Sequence, residues 1–313
     1  MVLDKLNSFG IKFSAISERI HVIQGNNRSR SPYSNAILIL DEINALLDAG
    51  CGLDIIEKLA SVVSIDLIIN SHSHPDHTSG NWLLQKLCRC DIKVPDNHKD
   101  SICDSDKLAL RLVGPDIASL WKAKGLSITG FRNFTPTDSY NDGDIINLGH
   151  TKFVSMYTPG HLEDHYCLWE PDRGIFIGFD IDLSPFGPWY GNEESDIDAF
   201  RTSIARVKEI PFNIYVSSHA RPVKRSYFEK RVSIYEKTFA DRDDIIHGLT
   251  PMDKWISLEE ITRFSPIYGY DYSKPDPILF YYEQQMIKKH LTRLVNQDKV
   301  ICEGKRYMRR NRD

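Results

Sequence analysis

A run of six residues, His72-Ser73-His74-Pro75-Asp76-His77, constrains this chain more than any other feature of its sequence. The run holds three imidazoles and one carboxylate, and it follows the apolar run 65–69, which predicts a buried strand. Side chains that follow a strand lie at the edge of a sheet, where solvent reaches them. Imidazole and carboxylate are common ligands of zinc and iron in proteins. The run therefore predicts a metal site at a sheet edge.

The spacing within this run predicts two ions rather than one. His72 and His74 are two residues apart in an extended stretch, so their side chains point the same way and can hold one ion. Pro75 then turns the chain, and Asp76 and His77 become available to a second ion. A polar surface loop rich in histidine is the alternative, which four ligand-type side chains in one short loop disfavour.

Three further predicted strands end in a ligand-type residue. The strand predicted over 151–157 leads through Thr158-Pro159-Gly160 to His161, and Gly160 allows the sharp turn that would aim this imidazole inward. The strand predicted over 174–178 ends near Asp180, and the strand predicted over 214–218 ends at His219. One such strand is unremarkable, but four predict a shared site on one scaffold.

These motifs resemble those of the metallo-β-lactamase superfamily. The matching pieces are H-S-H-P-D-H at 72–77, T-P-G-H at 158–161, the strand-end Asp180, the late His219 and the early signature Leu47-Asp48-Ala49-Gly50. The resemblance covers about residues 13–223, and its first two motifs are specific. It implies an α/β fold, an αββα sandwich in which two mixed sheets lie between helices and hold the metals at one edge.

The resemblance also implies a ligand set. Position by position, His72, His74 and His161 hold the first metal, Asp76, His77 and His219 hold the second, and Asp180 bridges both. The implied cofactors are two divalent metal ions, with Zn²⁺ expected and iron or manganese as alternatives. This set is similar to that of dinuclear hydrolases such as glyoxalase II. Asp76 would then also be catalytic, orienting the attacking hydroxide or passing a proton to the leaving group.

The sequence departs from the family pattern in two places. Phe179 stands where the family usually has Gly before the bridging aspartate, which leaves Asp182 as a rival bridge. Ser218 and Ala220 flank His219 where Gly is usual, so we expect a tighter or differently shaped pocket.

Three residues are candidates for supporting the ligands or contacting substrate. The run 161–165 resembles a subfamily that includes a lactamase-β-like endoribonuclease, in which His165 would support the ligands or touch substrate. Asp182 is the second candidate. Tyr190 is the third; it belongs to the apolar, aromatic run 185–191, which either lines a hydrophobic substrate pocket or forms a packed loop.

Beyond residue 223 the sequence pattern changes, and we divide the chain into a metallo-β-lactamase-like catalytic domain over 1–223 and a C-terminal region over 224–313. Helices predicted over 226–246 and 275–296, a capping box starting at Ser257 and a hairpin over 300–308 give a helical, winged-helix-like appendage. Basic residues concentrate toward its end, at Lys288, Lys289, Arg293, Lys299, Lys305, Arg306, Arg309, Arg310 and Arg312. They predict either an RNA-binding surface or a solvated face of an appendage that shapes the pocket or a homodimer contact.

The composition limits the class of protein. A length of 313 residues suits one large domain with a small appendage, and 41% hydrophobic and 26% charged residues are typical of soluble globular proteins. A net charge of -4 excludes a chain built as a whole to bind polyanions. Six scattered cysteines without a C-x-x-C pair favour reduced thiols. The absence of a leader pattern and of a run of about 20 apolar residues predicts a cytoplasmic protein without membrane contact.

Together these features predict a dinuclear metal-dependent hydrolase that uses a metal-bridging hydroxide on a small ester, thioester or lactone. A metal-dependent endoribonuclease that cleaves single-stranded RNA is the alternative, favoured by the C-terminal appendage. An iron-dependent oxidoreductase resembling the persulfide dioxygenases is a third hypothesis, which the complete ligand set disfavours. A non-catalytic nucleic-acid-binding protein would require a degenerate site.

Overall fold

Two stacked β-sheets form the centre of the computed structural model, which describes residues 2–311. The strands of the first sheet are β1 Phe13–Ala15, β2 Ile20–Ile23, β3 Ala36–Ile39, β4 Ala45–Leu47, β5 Leu67–Ile69, β6 Asp91–Pro95 and β7 Asp138–Tyr140. They lie in the order β1-β2-β3-β4-β5-β6-β7, antiparallel up to β4 and parallel from β4 onwards.

The strands of the second sheet are β8 Ile145–Asn147, β9 Lys152–Tyr157, β10 Tyr166–Glu170, β11 Ile175–Phe179, β12 Ile214–Ser217 and β13 Val223–Lys224. They lie in the order β13-β12-β11-β10-β9-β8, and only the pair β11 and β12 is parallel. Both sheets are therefore mixed, as the sequence predicted.

Helices cover the outer faces of both sheets. Besides the short turn Asn26–Ser29, the α-helices are Val2–Ser8, Leu53–Val62, Pro75–Thr78, Asn81–Cys88, Lys99–Ile102, Ser105–Trp121, Ser127–Thr129, Ile197–Glu209, Arg225–Leu249, Leu258–Arg263 and Pro277–Asn296. The helix Ser105–Trp121 is interrupted at Gly114, whose φ is 67°. No helix within residues 2–311 is both long and apolar enough to span a membrane.

Strand β3 shows how the sequence builds these layers. Successive side chains of a strand point to opposite faces of its sheet. Ile37 and Ile39 therefore pack between the two sheets, in the same cluster as Ile177 of β11. Ala36 and Leu38 pack on the other face, beneath the helices of the first sheet. Because both faces are covered, all four residues of β3 are apolar and buried. The αββα sandwich is confirmed.

The C-terminal region has the predicted order of elements. Helix Leu258–Arg263 begins with the capping box at Ser257, and β15 Val300–Glu303 and β16 Arg306–Arg309 form the hairpin, to which β14 Ile256–Ser257 adds a third strand. A separate apolar cluster joins these elements to the helix Pro277–Asn296, which we call the C-terminal helix.

The helix Arg225–Leu249 connects the two parts of the chain. Its Phe228 and Tyr235 pack with Tyr215 of β12, so its first half completes the helix layer over the second sheet. Its Ile246 packs in the cluster of the C-terminal region. A domain boundary at residue 223 stays a prediction.

Candidate metal centre

The seven predicted ligands meet at one edge of the sandwich. They follow four strands: the loop after β5 carries His72 to His77, and His161, Asp180 and His219 follow β9, β11 and β12. Their ligand atoms form two groups, within each of which all atoms lie within 4.8 Å of one another. The groups are His72, His74, His161 and Asp180, and Asp76, His77 and His219.

The first group brings four ligand atoms to one point. Nδ1 of His74 lies 3.1 Å from Nε2 of His72 and 2.9 Å from Nε2 of His161. Oδ2 of Asp180 lies 3.2 Å from Nε2 of His161 and 3.8 Å from Nε2 of His72. All four residues are buried.

The second group faces the other oxygen of the same aspartate. Oδ1 of Asp180 lies 3.2 Å from Nε2 of His77 and 3.5 Å from Nε2 of His219. Oδ2 of Asp76 lies 4.0 Å and 3.7 Å from the same two nitrogens. The Asp180 carboxylate therefore presents one oxygen to each group, which is the geometry a bridging ligand requires.

Asp182, which the sequence left open as the alternative bridging ligand, belongs to neither group. Its Oδ1 accepts a hydrogen bond of 3.0 Å from the backbone N–H of Ser184. Burial raises the pKa of its carboxyl group.

The conformation of Phe179 explains how Asp180 reaches the centre without the glycine that the family usually has before it. The φ angle of Phe179 is 45°, in the left-handed region that favours glycine. The register between β11 and β12 shifts at the same residue. The Phe179 ring is fully buried between the sheets, so packing there stabilises a backbone conformation that is costly for phenylalanine.

Gly160 turns the chain toward the centre as predicted. Its φ is 128°, and a Cβ atom added to it would lie 2.2 Å from the backbone nitrogen of Phe200. A larger residue would therefore displace either the helix Ile197–Glu209 or His161.

The donor set and its surroundings fit divalent cations. Within residues 2–311, Nε2 of His77 and Oδ1 of Asp180 are buried without a hydrogen-bond partner, which is costly unless a cation satisfies them. Burial and neighbouring imidazoles hold the pKa values of His72 and His74 well below the usual range, so both rings are neutral and can ligate. Burial alone would raise the pKa of Asp180, but His77 and His219 hold it well below its usual value.

The other ring nitrogen of each ligand histidine is held by a hydrogen bond. These pairs are His72 Nδ1 with Ser71 Oγ (2.8 Å), His74 Nε2 with Asn192 Oδ1 (2.6 Å), His77 Nδ1 with Asp48 Oδ2 (2.7 Å), His161 Nδ1 with Trp189 O (2.9 Å) and His219 Nδ1 with Ser29 O (2.7 Å). Ser71 Oγ donates its proton to Asp48 Oδ2, so it accepts a hydrogen bond from His72 Nδ1. The oxygens paired with the other four histidines accept hydrogen bonds in the same way. Each ring can therefore offer the lone pair of its other nitrogen, which faces the centre, to a metal ion.

Sequence reasoning missed four of these five acceptors, Ser29, Ser71, Trp189 and Asn192. Asp48 was recognised only as part of the strand-end signature. The sequence did contain a sign of the role of Asp48, since a carboxylate that follows a buried strand needs hydrogen-bond donors around it. No local pattern marks Ser29 or Asn192, because they lie far from their histidines in sequence.

His165 lies directly behind Asp180. Its Nε2 accepts a hydrogen bond of 3.3 Å from the Asp180 backbone N–H, and its Nδ1 contacts Thr158 O at 3.0 Å. Burial lowers its pKa to about 3. A neutral His165 is therefore placed to hold the backbone of Asp180, and its part in the reaction stays a prediction.

Tyr190 does not contact the centre or the cleft described below, and this prediction was wrong. Its side chain is fully buried, and its hydroxyl group lies 2.7 Å from Nε2 of His290 and 3.0 Å from Nη1 of Arg242. The aromatic run 185–191 thus serves both predicted roles, since Phe186 and Trp189 line the cleft while Tyr190 packs inward.

A cleft of about 910 Å³ opens over the two groups. His74, Asp76, His161, Asp180 and His219 form its floor. Its apolar side includes Trp121, Phe186, Trp189, Ile278, Leu279 and Tyr282, of which the last three belong to the C-terminal helix. The C-terminal region therefore helps to shape the cleft, which is one of the roles that the sequence left open for it.

Five of the basic residues predicted as an RNA surface have partners on the protein itself. Lys288 approaches Glu193, Lys289 donates to Asn192 O, Arg293 pairs with Asp198 and Asp243, Arg309 donates to Thr250 O and Gly248 O, and Arg310 pairs with Asp298. Arg312 lies outside the described residues. These contacts compete with phosphate, so RNA binding here stays a prediction without support from this surface.

Comparison with known proteins agrees with this geometry. Residues 31–219 match the sequence model of the metallo-beta-lactamase superfamily. A hydroxyacylglutathione hydrolase from Francisella tularensis subsp. tularensis is 32% identical over 124 residues, which are 39% of this chain and 46% of that protein. An acyl-coenzyme A thioesterase from Bos taurus is 28% identical over 120 residues, 37% of this chain and 40% of that protein. The chain thus matches less than half the length of these curated relatives.

Two solved structures share the fold over nearly the whole chain. A metallo-beta-lactamase family protein from Thermus thermophilus superposes with a TM-score of 0.71 at 17% identity, covering 95% of this chain and all of that one. A beta-lactamase domain protein from Burkholderia ambifaria superposes with a TM-score of 0.69 at 15% identity, covering 96% of this chain and 94% of that one.

Proposed function

Since the chain belongs to the metallo-β-lactamase superfamily, which its match over residues 31–219 shows, we propose that it is a dinuclear metal-dependent hydrolase of thioesters. The observation that carries the proposal is the position of Asp180, whose two oxygens face the two ligand groups. Two divalent ions bound there would lower the pKa of a water molecule toward about 7 and polarise a carbonyl group. Zn²⁺ is the ion that we expect, because the donors are mostly imidazole nitrogens.

The residues of the chain position the reaction. The hydrogen bonds behind each histidine fix ring orientation and tautomer before substrate arrives. Asp76 lines the floor of the cleft, and its side chain remains 18% exposed, against 9% for that of Asp180. With the ions bound, it would be placed to accept a proton from the attacking water and to return it to the leaving group.

Three observations support a thioester rather than RNA. Both curated relatives described above are named for thioester hydrolysis. The cleft has an extended apolar side, which suits an acyl group. Five of the basic residues that would hold RNA have partners within the protein.

The test is thiol release from octanoyl thioesters by zinc-loaded protein whose metal content has been measured. We expect turnover with two ions per chain, and no turnover by a folded His74→Ala variant. His150→Ala, which removes an exposed imidazole, is the matched control and should keep wild-type activity. Protein that holds two ions, is folded and releases no thiol would contradict the proposal. Cleavage of single-stranded RNA by the same preparation would favour the alternative.

A further inference from the structure

Three arginines lie in the lining of the cleft, and we call them the arginine rim: Arg30, Arg221 and Arg231. Within residues 2–311, no hydrogen bond or ion pair holds the side chain of Arg30 or of Arg221. Arg231 donates one hydrogen bond, from Nη2 to Leu183 O at 3.1 Å, and keeps its other donors. Unpaired guanidinium groups beside a cleft are suited to an anionic ligand.

Hydrogen bonds tie two of these arginines to the metal-binding edge. Asn35 donates through Nδ2 to Ser217 O and Ala220 O, both at 2.9 Å, and accepts from Ser29 Oγ at 2.6 Å. Ser29 O accepts in turn from Nδ1 of His219. The residues directly before Arg30 and Arg221 are therefore joined to each other and to a ligand histidine, so the attachment points of both side chains are fixed relative to the centre.

The turn that delivers Arg30 has a costly backbone conformation. Asn27, Arg28 and Ser29 have φ values of 50°, 58° and 60°, and none of them is glycine. Left-handed conformations are costly for residues other than glycine and persist where the surroundings enforce them, often at ligand sites. Here the buried side chain of Ser29 enforces the turn through its bonds to Gly25 N and Asn35.

The lining carries charges of both signs. Its acidic residues are Asp76, Asp180 and Asp182, which lie at or beside the ligand groups. Apart from these acids and the ligand histidines, the charged residues of the lining are those of the arginine rim. The apolar side, with Leu279 and Tyr282 of the C-terminal helix, is part of the same cleft. A complementary ligand would be apolar in one part and anionic in another.

Resting on the proposed thioester hydrolysis, we propose that the leaving thiol carries phosphate groups that the arginine rim binds, while the acyl group lies along the apolar side of the cleft. The water oxygen forms the new C–O bond, the C–S bond breaks, and carboxylate, thiol and one proton result. A glutathione thiol fits less well, because its α-ammonium group needs an acidic partner, and the lining offers acids only at its floor.

The test compares octanoyl-coenzyme A with octanoyl-pantetheine, which has the same thioester without phosphate. We expect the wild type to favour the former in kcat/KM by about tenfold or more, since hydrogen bonds to charged groups contribute roughly 1.5–3 kcal/mol each. The double variant Arg30→Gln/Arg221→Gln should bring the ratio near one, chiefly by lowering kcat/KM for octanoyl-coenzyme A. Arg28→Gln, an exposed arginine of the same turn outside the cleft lining, should behave as wild type.

Two further substrates locate the recognised group. Octanoyl-phosphopantetheine keeps one phosphate and lacks the nucleotide. Its kcat/KM shows whether the recognised phosphate belongs to the pantetheine arm or to the nucleotide of coenzyme A. Equal rates on octanoyl-coenzyme A and octanoyl-pantetheine, a preference for octanoyl-glutathione, or an unchanged ratio in the double variant would overturn the inference while leaving thioester hydrolysis intact.

If no thioester is hydrolysed, binding of free coenzyme A still tests the arginine rim separately from thioester hydrolysis. The proposed function then fails, and calorimetry with free coenzyme A decides the arginine rim. Binding by the wild type that the double variant loses would support the rim as a phosphate site. No binding by the wild type would overturn it.

Discussion

Oδ2 of Asp48 lies 2.7 Å from Nδ1 of His77, and both side chains are fully buried. The same oxygen accepts a hydrogen bond from Ser71 Oγ, which accepts from His72. One carboxylate therefore orients a ligand of each group, His77 directly and His72 through Ser71. The two ion sites share this support as well as the Asp180 carboxylate.

Asp48→Asn should weaken metal binding by about 10- to 100-fold, because an amide can no longer accept from both His77 and Ser71 with full charge. Asp48 has a φ of 55°, a conformation that asparagine tolerates, so the backbone should be retained. Competition with a zinc chelator measures the affinity. Asp172→Asn changes an exposed carboxylate and is the matched control. Unchanged affinity in Asp48→Asn would show that His77 is oriented by other contacts.

Asp180→Asn should lower the metal content from two ions per chain to one or fewer, since an amide offers a single oxygen where both carboxylate oxygens now face a ligand group. Asp182→Asn should keep two ions, because Asp182 belongs to neither group. Elemental analysis of the folded variants measures both. Loss of an ion in Asp182→Asn but not in Asp180→Asn would reverse the assignment.

The sequence could predict the ligands because each follows a strand by a few residues, and the ends of neighbouring strands meet at one edge. It could not predict the support of His74 and His219, because Asn192 and Ser29 lie on loops 118 and 190 residues away in sequence. It misplaced Tyr190, because the groups that take up its hydroxyl, Arg242 and His290, come from helices whose packing no local pattern specifies. The positive φ of Phe179 was likewise hidden, since only packing between the sheets stabilises it.

Leu279→Ala should shorten the preferred acyl chain. Leu279 lines the cleft from the C-terminal helix and is only partly buried, so its truncation should cost little stability. Losing its contact with a long acyl group removes about 1–2 kcal/mol of binding, or roughly tenfold in kcat/KM for octanoyl thioesters, with little change for acetyl thioesters. Parallel assays with the two chain lengths measure this. An equal loss on both would indicate a general disturbance of the cleft.

The buried pair His290 and Asp243 predicts a dependence of stability on pH. Nδ1 of His290 lies 2.6 Å from Oδ1 of Asp243, and its Nε2 lies 2.7 Å from the hydroxyl group of Tyr190. The ring is fully buried, and burial lowers its pKa despite the carboxylate, with Arg242 and Arg293 also opposing its charge. A neutral ring that donates to Asp243 and accepts from Tyr190 satisfies all three groups.

The unfolded chain takes up a proton at this histidine below a pH of about 6.5, whereas the folded protein does so only at lower pH. The free energy of unfolding should therefore fall as the pH drops below about 6.5, by up to about 1.4 kcal/mol for each pH unit, until the folded protein also takes up the proton. In His290→Gln this part of the fall should disappear, although the variant is less stable at pH 7. Urea unfolding at several pH values, with and without chelator, measures it; identical slopes for variant and wild type would contradict a neutral, buried His290.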